Sequence, residues 1–516
     1  MLGELYEQLF KDYVAVDWAQ EIDLWGRRIA LYRQYTKGQQ RTYLTETMKR
    51  MLNLKSDVLE HFSIDYTKKV ARKKSERLVV KQIEASETIP TPSPSAMQIP
   101  PSVPPATQTP PSVPPATQGE VINAGQMWVD DRLKLNRFDA LQIKVHKAES
   151  RDGDVFVMVA FDETTMTSRM YYERAYDGDV GMIPVYDRAD PDELYAAIKI
   201  FYTGKETKQI NVYYADHIDK YTMDINGGDL TVVETGIPWI DPVSQKPLGV
   251  PVVHFAAERE DGDNVGQSEL LKIINLQDML NRVSVSMVMS CELTGFLLLF
   301  AKGFVPPPTI APGDIITANA DGDPSLLQYV DLSSINPGDP QSFIKVLERL
   351  VDFIGDISDT PVSGQLGSDS SSGEALKERD KGLLAKVRNA QVILGNSWED
   401  VMSLMHRVES AFATKKPPMI DLFNCHWQDA QVRNDLETFQ EANMVYDKLE
   451  DKTLYLDMIG DVIDLDASKR QTILDRSQAQ ANQVLAGLNL PGVGNALNFG
   501  ANLNGVPGAV AAPSKI

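Results

Sequence analysis

The sequence is poor in the residues that build disulfide frameworks, metal sites and catalytic motifs. Among its 516 residues there are two cysteines, Cys291 and Cys425, which lie far apart and outside any CxxC motif. Neither a disulfide framework nor a zinc site is therefore expected. The six histidines are scattered, and P-loop, GxSxG, HExxH and GxGxxG motifs are all missing. We predict no catalytic residue, no metal site and no cofactor.

Long apolar segments are missing as well. The most apolar run, Phe296–Ala301, is far too short to span a bilayer. The first residues lack the basic region and the apolar region of a secretory signal peptide. We therefore expect a soluble chain that has no membrane partner and assembles in a reducing compartment.

Positive charge is in short supply, with 51 Lys+Arg against 72 Asp+Glu and a formal net charge of −21. Affinity for nucleic acid comes mainly from Lys and Arg that neutralise phosphates, so this balance argues against a repressor or a polymerase. It is compatible with a conduit, because a channel must let DNA slide and must not grip it. The length and the 43% hydrophobic content predict an α+β chain with several subdomains.

Residues 88–118 contain no charged and no aromatic side chain, and the sequence PPSVPPATQ occurs twice, at 100–108 and 110–118. Such a stretch cannot bury enough apolar area to offset its ordering entropy, so we predict an extended, semi-rigid tether. A PxxP ligand for an SH3-like partner is the other reading, although no basic residue flanks the motif.

Apolar periodicity predicts that residues 1–86 are helical, with one amphipathic helix over 18–51 and a further helix over 126–147. Segments rich in Val, Ile, Tyr and Thr then predict a mostly β domain. Asn226-Gly227 predicts a tight hairpin turn, since both residues tolerate positive φ. The predicted strands are 154–161, 169–172, 198–202, 211–214, 221–225, 230–234 and 250–255.

Residues 264–412 hold a helix, a compact insert, a second helix, a Ser/Gly-rich loop and a long third helix. The second helix is predicted to begin at Asp339-Pro340, because Asp is a good N-cap and proline at the first position needs no N–H partner. The third is predicted to begin at a capping box, Ser371 with Glu374. The predicted helices are 265–290, 339–358, 371–413, 434–450, 451–464 and 467–485, and the predicted strands are 296–300, 314–317, 326–330 and 419–428.

Seven basic residues recur at helical spacing between 68 and 81. They predict either a surface that contacts DNA or an acidic partner, or a solvated helix face whose charge is balanced by neighbouring acids. The sequence leaves both open. The residues are Lys68, Lys69, Arg72, Lys73, Lys74, Arg77 and Lys81.

Two patterns suggest enzyme chemistry. Cys425-His426 could pair a nucleophile with a base, but adjacent strand residues point to opposite faces, so their side chains cannot hydrogen-bond. Asp352, Asp356 and Asp359 fall at helical spacing and could hold the metal ions of a nuclease. An exposed acidic helix face explains the same spacing.

Short motifs resemble those of tailed-bacteriophage portal proteins, the head-to-tail connector family. LQDMLN at Leu276–Asn281 resembles the family's first stem helix, and the strand Pro251–Phe255 with the polar loop Asp261–Gly266 precedes it as in the family. SSGEALKERD at Ser371–Asp380 resembles the start of the family's long helix, and Tyr32–Tyr35 is a looser match. The helices after Asn434 look like the family's crown. The order of these motifs, over 1–86 and 120–485, makes the resemblance specific.

The resemblance implies an α+β multidomain portal fold with long stem helices, a small α/β clip, a mixed α/β wing and a helical crown, assembled as a ring. The implied parts are the wing at 1–263 (with the Pro-rich linker 88–118), stem helices at 264–290 and 339–358, the clip at 291–338, the tunnel loop at 359–373, the long helix and return to the wing at 374–430, the crown at 431–485 and a flexible C-terminal tail at 486–516.

It also implies a function without catalysis. Portal subunits resemble one another in closing rings, typically of twelve copies, through which double-stranded DNA is packaged and ejected. The implied partners are other copies of the chain, the terminase large subunit, neck and adaptor proteins, and the major capsid and scaffolding proteins. The implied location is the unique vertex of the virion capsid, after assembly in the host cytoplasm. A metal-dependent nuclease or another phage-encoded enzyme is the alternative.

The resemblance assigns candidate site residues to three parts of the channel. The tunnel loop would offer Ser363, Gly364, Gln365, Leu366, Gly367, Ser368 and Asp369 to DNA. The channel stem would offer Lys345, Arg349, Asp352 and Asp356. The clip would offer Phe300, Lys302, Phe304, Asp321 and Asp323 to the terminase and the neck.

Overall fold

A computed structural model describes most of the chain up to residue 430. The described residues are 2–15, 17–40, 64–86, 124–187, 193–225, 229–260, 263–295, 298–302, 331–335, 340–362 and 373–430, followed by 442–446, 454–456, 459, 473–474 and 476. The chain divides into two compact units, Met1–Ala430 and Gln431–Ile516.

The first unit mixes helices and strands. Its helices are α1 (Leu2–Leu5), α2 (Trp18–Thr36), α3 (Thr67–Ser75), α4 (Ala124–Leu135), α5 (Phe138–Asp152), α6 (Ile274–Gly295), α7 (Pro340–Ile357) and α8 (Gly373–Phe412), and a π-helical turn at Tyr6–Phe10 follows α1. Its strands are β1 (Val80–Ser86), β2 (Asp154–Asp162), β3 (Thr167–Arg174), β4 (Gly181–Tyr186), β5 (Leu194–Tyr202), β6 (Thr207–Tyr213), β7 (His217–Asp224), β8 (Thr231–Pro238), β9 (Val252–Ala256), β10 (Leu298–Lys302), β11 (Asp331–Ile335) and β12 (Leu422–Trp427).

The described strands pair antiparallel in four sheets. These are the pair β1-β12, the pair β10-β11, the three-stranded sheet β3-β2-β9 and the five-stranded sheet β4-β5-β6-β7-β8. The five-stranded sheet is a meander, because each strand pairs with its neighbour in the chain. Burial alternates along β6 and β7, as one buried face requires, whereas all six residues of β4 are buried.

The long helix α8 is the centre of the largest core. Its buried side chains recur every three or four residues, as one face of a helix requires, and they pack with the sheets β1-β12 and β3-β2-β9 and with α4 and α5. Trp398 is fully buried, with the rings of Phe138 and Phe255 at 4.8 and 4.7 Å between centroids. The other buried apolar residues of α8 include Leu383, Val387, Leu394, Val401, Met402, Met405 and Val408.

Two smaller cores complete the unit. One packs α1, the π-helical turn and α2 on the five-stranded sheet, with Leu5, Phe10, Trp18 and Trp25 among its buried residues. The other joins α2, α3, α6 and α7, and its members are Tyr32, Tyr35, Val70, Ala71, Leu270, Ile273, Ile274, Leu280, Val351, Ile354 and Val362. This second core fixes α6 and α7 to the rest of the unit.

Several predictions of secondary structure were wrong. Residues 80–86 form β1 and not helix, because they pair with β12. The residues of β12 lie more than 300 positions later in the chain. The predicted helix 126–147 is two helices, since Arg137 between α4 and α5 takes a left-handed conformation with φ 50°. Strand β4 was not predicted at all.

The first predicted stem helix also has different ends. It begins at Ile274 and not at Val265, because residues 263–273 form turns, and it continues to Gly295. The first strand of the insert is Leu298–Lys302, and it pairs with Asp331–Ile335. By contrast, Pro340 is the first residue of α7, as predicted.

Other predictions fall outside the described residues. These are the tether at 88–118, the hairpin turn at Asn226-Gly227, the strands 314–317 and 326–330, the capping residue Ser371 and the tail 486–516. In the second unit, helical residues at 442–446 and 454–456 lie within predicted helices, and the rings of Tyr446 and Tyr455 are 5.3 Å apart.

The chain on both sides of residues 87–123 belongs to one packed body. Gln126 of α4 accepts a hydrogen bond from the Ala85 amide of β1 at 3.0 Å and donates one to the Ile83 carbonyl, also at 3.0 Å. The side-chain amide thus pairs with β1 as a neighbouring strand would.

Candidate functional site

The four residues predicted for the channel stem share one face of α7. At about 100° per residue, Lys345, Arg349, Asp352 and Asp356 fall within about 60° of arc. Lys345, Arg349 and Asp356 are exposed and Asp352 is half-buried. The two basic residues precede the two acidic residues along α7, so the polar face changes sign along the helix.

The opposite face of α7 is buried. Val351 and Ile354 are 4% and 0% exposed, and Leu347 and Leu350 pack against the same core. A helix held by one face presents the other face away from the core. The core therefore orients the polar face of Lys345, Arg349, Asp352 and Asp356 outward.

An apolar stripe runs beside the polar face. Val346, Phe353 and Ile357 are 48%, 39% and 46% exposed and lie within about 40° of arc on α7. The Arg349 guanidinium lies 4.4 Å from the centre of the Phe353 ring. We call Val346, Phe353 and Ile357 the α7 stripe.

Buried amides anchor α6, and the sequence reasoning missed their role. Gln277 and Asn281 of the LQDMLN motif are 0% and 1% exposed. The Gln277 side chain accepts from the Tyr66 amide at 3.1 Å and donates to the Ile64 carbonyl, while Asn281 accepts from the Ile64 amide at 3.1 Å. Asn281 also donates to Gln40 at 2.5 Å. The sequence signal for this role was the presence of two polar residues, four positions apart, in an apolar helix. Buried amides require hydrogen-bond partners.

The Tyr32–Tyr35 motif meets the LQDMLN motif directly. The Tyr35 hydroxyl donates to Asp278 at 2.5 Å, and Arg33 donates to Asp152 at 2.9 Å and to Asp177 at 2.9 Å. Asp152 is 1% exposed and Arg33 is 9% exposed. Two segments that resemble portal proteins in sequence are thus joined in space, and they tie α6 to α2 and α5.

The polar loop before α6 is held by a buried carboxylate. Asp154, which is 0% exposed, accepts from Trp25 at 2.9 Å, from His254 at 2.8 Å and from the Gly266 amide at 2.8 Å. Gly153, with φ 86°, faces Gly266, and a Cβ on either glycine would collide with the other's backbone. Only glycine lets these two segments approach so closely.

A charged network lies beneath the end of α7. Lys74 of α3 is 4% exposed and contacts Glu149 at 2.8 Å and Glu269 at 3.0 Å. Lys386 of α8 contacts Glu269 at 2.7 Å and donates to the Ser358 carbonyl at 2.8 Å. Burial raises the pKa of Glu149, whereas Lys74 and Lys386 hold the pKa of Glu269 below its usual value despite burial. These residues also line a cavity of about 290 Å³.

The basic residues between 68 and 81 are therefore only partly a solvated surface. Lys74 is buried among acids, Arg77 contacts Asp380 at 2.8 Å, and Arg72 pairs with Glu76. Neighbouring acidic side chains balance the positive charge of these three residues, as one of the two interpretations predicted. The burial of Lys74 was not predicted.

The described residues offer no support for catalysis by Cys425-His426. Cys425 is half-buried, and burial together with Glu399 raises the pKa of its thiol to about 12, so the reactive thiolate is disfavoured. His426 is exposed and contacts Glu84 at 3.0 Å. The two residues occupy successive positions of β12.

Within its described residues the chain has neither a metal-binding cluster nor a helix that could span a membrane. In the part of the chain that the structure describes, no group of three His, Cys, Asp or Glu side chains is placed to hold a metal ion. Asp359 lies beyond the end of α7 with φ 48°, so it does not continue the face of Asp352 and Asp356. None of the described helices is both long enough and apolar enough to cross a bilayer.

The remaining predicted site residues are those of the predicted tunnel loop and clip. Ser363–Asp369, Phe304, Asp321 and Asp323 lie outside the described residues. Phe300 and Lys302 belong to β10, where the structure gives the backbone pairing with β11.

Structural comparison finds chains of phage-like particles at low similarity. A chain of the virion of a native gene transfer agent particle is 12% identical and matches 60% of this chain and 75% of its own, with a TM-score of 0.34. A chain of the native particle's neck, computed with C12 symmetry, is 12% identical and matches 62% of this chain and 79% of its own, with a TM-score of 0.31. No curated protein matches the chain.

The sequence itself matches a family over most of its length. Residues 59–483 fit the family described as phage portal protein, SPP1 Gp6-like. This range contains α6, α7, α8 and the LQDMLN motif with its buried amides. The family predicted from the short motifs is confirmed, and the chain belongs to the phage portal protein family, SPP1 Gp6-like.

Proposed function

We propose that this chain is the portal vertex subunit of a tailed phage or phage-like particle. Twelve copies close into a ring, and double-stranded DNA passes through its centre during packaging and ejection. Family membership supports this function, and the observation that carries the residue-level proposal is the two-faced α7. Its buried face is fixed to the core, and its polar face is left for the channel.

The α7 stripe has a place in this arrangement. A closed ring needs a heterologous contact between neighbouring copies. Val346, Phe353 and Ile357 lie beside the polar face, so a helix that turns its polar face to the axis turns this stripe toward a neighbour. Burying the stripe there would remove exposed apolar area from water.

The order of charges along α7 would allow DNA to slide through the proposed channel. Repetition around a ring turns Lys345 and Arg349 into a positive belt and Asp352 and Asp356 into a negative belt. The positive belt attracts the phosphates and the negative belt repels them, and both effects fade beyond a Debye length of about 8 Å. Neighbouring belts of opposite sign keep the DNA centred and prevent tight binding.

The other parts follow the family layout. The tunnel loop, Ser363–Asp369, would contact DNA at the narrowest point, and the clip, with Phe300, Lys302, Phe304, Asp321 and Asp323, would dock the terminase large subunit and later the neck and adaptor proteins. Scaffolding and major capsid proteins would surround the ring at the unique vertex. Assembly would occur in the host cytoplasm.

The mass of the purified particle and its end-on image test the proposal. A ring with a central hole and a mass of many subunits is expected. A particle that stays monomeric at high concentration would refute the ring. Cleavage of DNA by the pure protein with Mg²⁺ would instead favour the metal-dependent nuclease, which no described cluster of side chains supports.

Charge reversal tests the channel face. Lys345→Glu with Arg349→Glu should form rings but package several-fold less DNA in a reconstituted reaction, because the whole face would repel phosphate. The matched control is Lys205→Glu with Lys246→Glu, which changes the net charge equally at exposed positions outside α7. Equal packaging by the two double variants would contradict the assignment of α7 to the channel.

A further inference from the structure

Helix α3 lies against the end of α7 and the start of α8. Its apolar residues Val70 and Ala71 are 0% and 6% exposed and belong to the core that also contains Val351, Ile354 and Val362. The core therefore fixes the position of the α3 backbone, to which the basic side chains of α3 are attached. Two of the basic residues at 68–81, Lys69 and Arg77, contact groups near the two ends of the segment 363–372.

The first end is a tight helix stop. The Thr360 amide donates to the Gly355 carbonyl at 3.0 Å and the Asp359 amide to the Asp356 carbonyl at 3.4 Å, which is the Schellman pattern around a left-handed residue. Lys69 donates to the Val362 carbonyl at 2.7 Å. Together with the bond from Lys386 to the Ser358 carbonyl, two ammonium groups hold this stop at both of its ends.

The second end is the beginning of α8. Arg77, just after α3, contacts Asp380 at 2.8 Å, and Arg77 is 13% exposed at its side chain. Gly382 of α8 faces Asp359, since a Cβ there would lie 3.3 Å from the Asp359 Cβ. The stop after α7 and the first turns of α8 are therefore in close contact.

We propose that Lys69 and Arg77 are positioning residues, which fix the helix stop after α7 and the first turns of α8, the described residues on either side of 363–372. Calling that segment the tunnel loop rests on the proposed function, whereas the contacts at its two ends do not. Lys69 and Arg77 thus act within the chain, through Val362 and Asp380, and a DNA-binding surface is not needed to explain these two residues.

The chain offers a matched control on the same helix. Lys68 is adjacent to Lys69 and exposed, and its ammonium group contacts neither end of the segment among the contacts that the structure describes. Lys68→Met and Lys69→Met remove the same charge. Lys69→Arg restores a cationic donor.

Hydrogen exchange by mass spectrometry tests the proposal on the full chain. In Lys69→Met, the amides of Asp359, Thr360 and Val362 should exchange about three- to tenfold faster, because the loss of a charge-assisted hydrogen bond lets the stop open more often. Lys68→Met should exchange like the parent, Lys69→Arg should recover most of the protection, and the thermal midpoint should stay unchanged. Identical exchange in the two Met variants would overturn the proposal.

The second end and the rival reading are tested separately. Asp380→Asn, which keeps the shape of the side chain, should speed exchange in the first turns of α8. Fluorescence anisotropy with duplex DNA addresses the surface reading: equal losses of DNA affinity in Lys68→Met and Lys69→Met would favour a DNA-binding patch and refute the positioning role. Absence of rings in the parent would refute the proposed function but leave the exchange result standing.

Discussion

At the residue scale, the buried polar side chains do most to specify this structure. His146 is 0% exposed, and its ring binds the Leu78 carbonyl through Nδ1 at 2.8 Å and accepts from Trp398 through Nε2 at 3.0 Å. Both nitrogens are thus used by a neutral ring, and burial lowers the pKa of His146 to about 4. A second proton would have to displace Trp398.

This residue predicts acid sensitivity. The folded pKa of about 4 lies below the unfolded value of about 6.5, so the unfolded chain takes up the proton first and stability falls as the pH drops below that value. Between about pH 7.5 and about pH 5 the free energy of unfolding should fall by roughly 2 kcal/mol from this group. Urea titrations at both pH values measure it.

Two variants test whether His146 causes this pH dependence of stability. His146→Gln keeps a donor and an acceptor but cannot titrate, so its stability should vary less with pH. His426→Gln removes an exposed histidine and should behave as the parent does. The same pH dependence in all three proteins would contradict the assignment.

Glu409 is a second buried group with several partners. It accepts from Trp128 at 2.9 Å, from Arg132 at 2.6 Å and from the Ser168 amide at 2.8 Å, and it is 1% exposed. Glu409→Ala would leave the Arg132 charge without its partner and should lower the free energy of unfolding by about 3–5 kcal/mol, as urea unfolding would show. Asn396→Ala, at an exposed position of α8, should cost at most about 0.5 kcal/mol.

At the element scale, local patterns and long-range pairing differ in how well they can be predicted. The start of α7 followed from Pro340, and the course of α8 followed from apolar spacing, since both signals are local. Strand β1 was not predicted because its partner β12 is remote in sequence. The break at Arg137 was missed because a left-handed arginine has no sequence signal of its own.

The end of α7 yields a prediction for this scale. Asp359 occupies the left-handed position of the helix stop, with φ 48°, where glycine is free of the Cβ penalty. Asp359→Gly should therefore raise the free energy of unfolding by about 1 kcal/mol. The control Asp352→Gly places glycine inside α7 and should lower it by about 1 kcal/mol. Thermal unfolding of both variants is the measurement, and a drop for both would refute this account of the stop.

At the scale of the whole molecule, the proposed ring predicts that the α7 stripe contributes to assembly. Phe353→Asp should leave the subunit folded, because the side chain is 39% exposed, yet it should shift the particle from rings to single subunits. Sedimentation and end-on imaging would measure the shift. Val392→Asp, on a residue of α8 that is 66% exposed, is the control and should leave rings intact.

The candidate site was predictable in part at this scale. The positions of Lys345, Arg349, Asp352 and Asp356 on one face follow from helical spacing alone. The ion pairs of Lys74 and Arg77 with carboxylates do not, since a basic helix looks alike in sequence whether its partners are phosphates or carboxylates of the same chain. The partners are known only from the structure, because Glu149, Glu269 and Asp380 lie in segments that are distant in the sequence.

The pairing of Gln126 with β1 has a practical consequence. Because it joins Gln126 to Ile83 and Ala85, the described residues on either side of the 37 positions 87–123 belong to one packed body. A short Gly-Ser bridge should close that gap without disturbing the cores. A fluorescent protein, whose own termini are adjacent, could be inserted there, and in the proposed ring each copy would then carry one reporter.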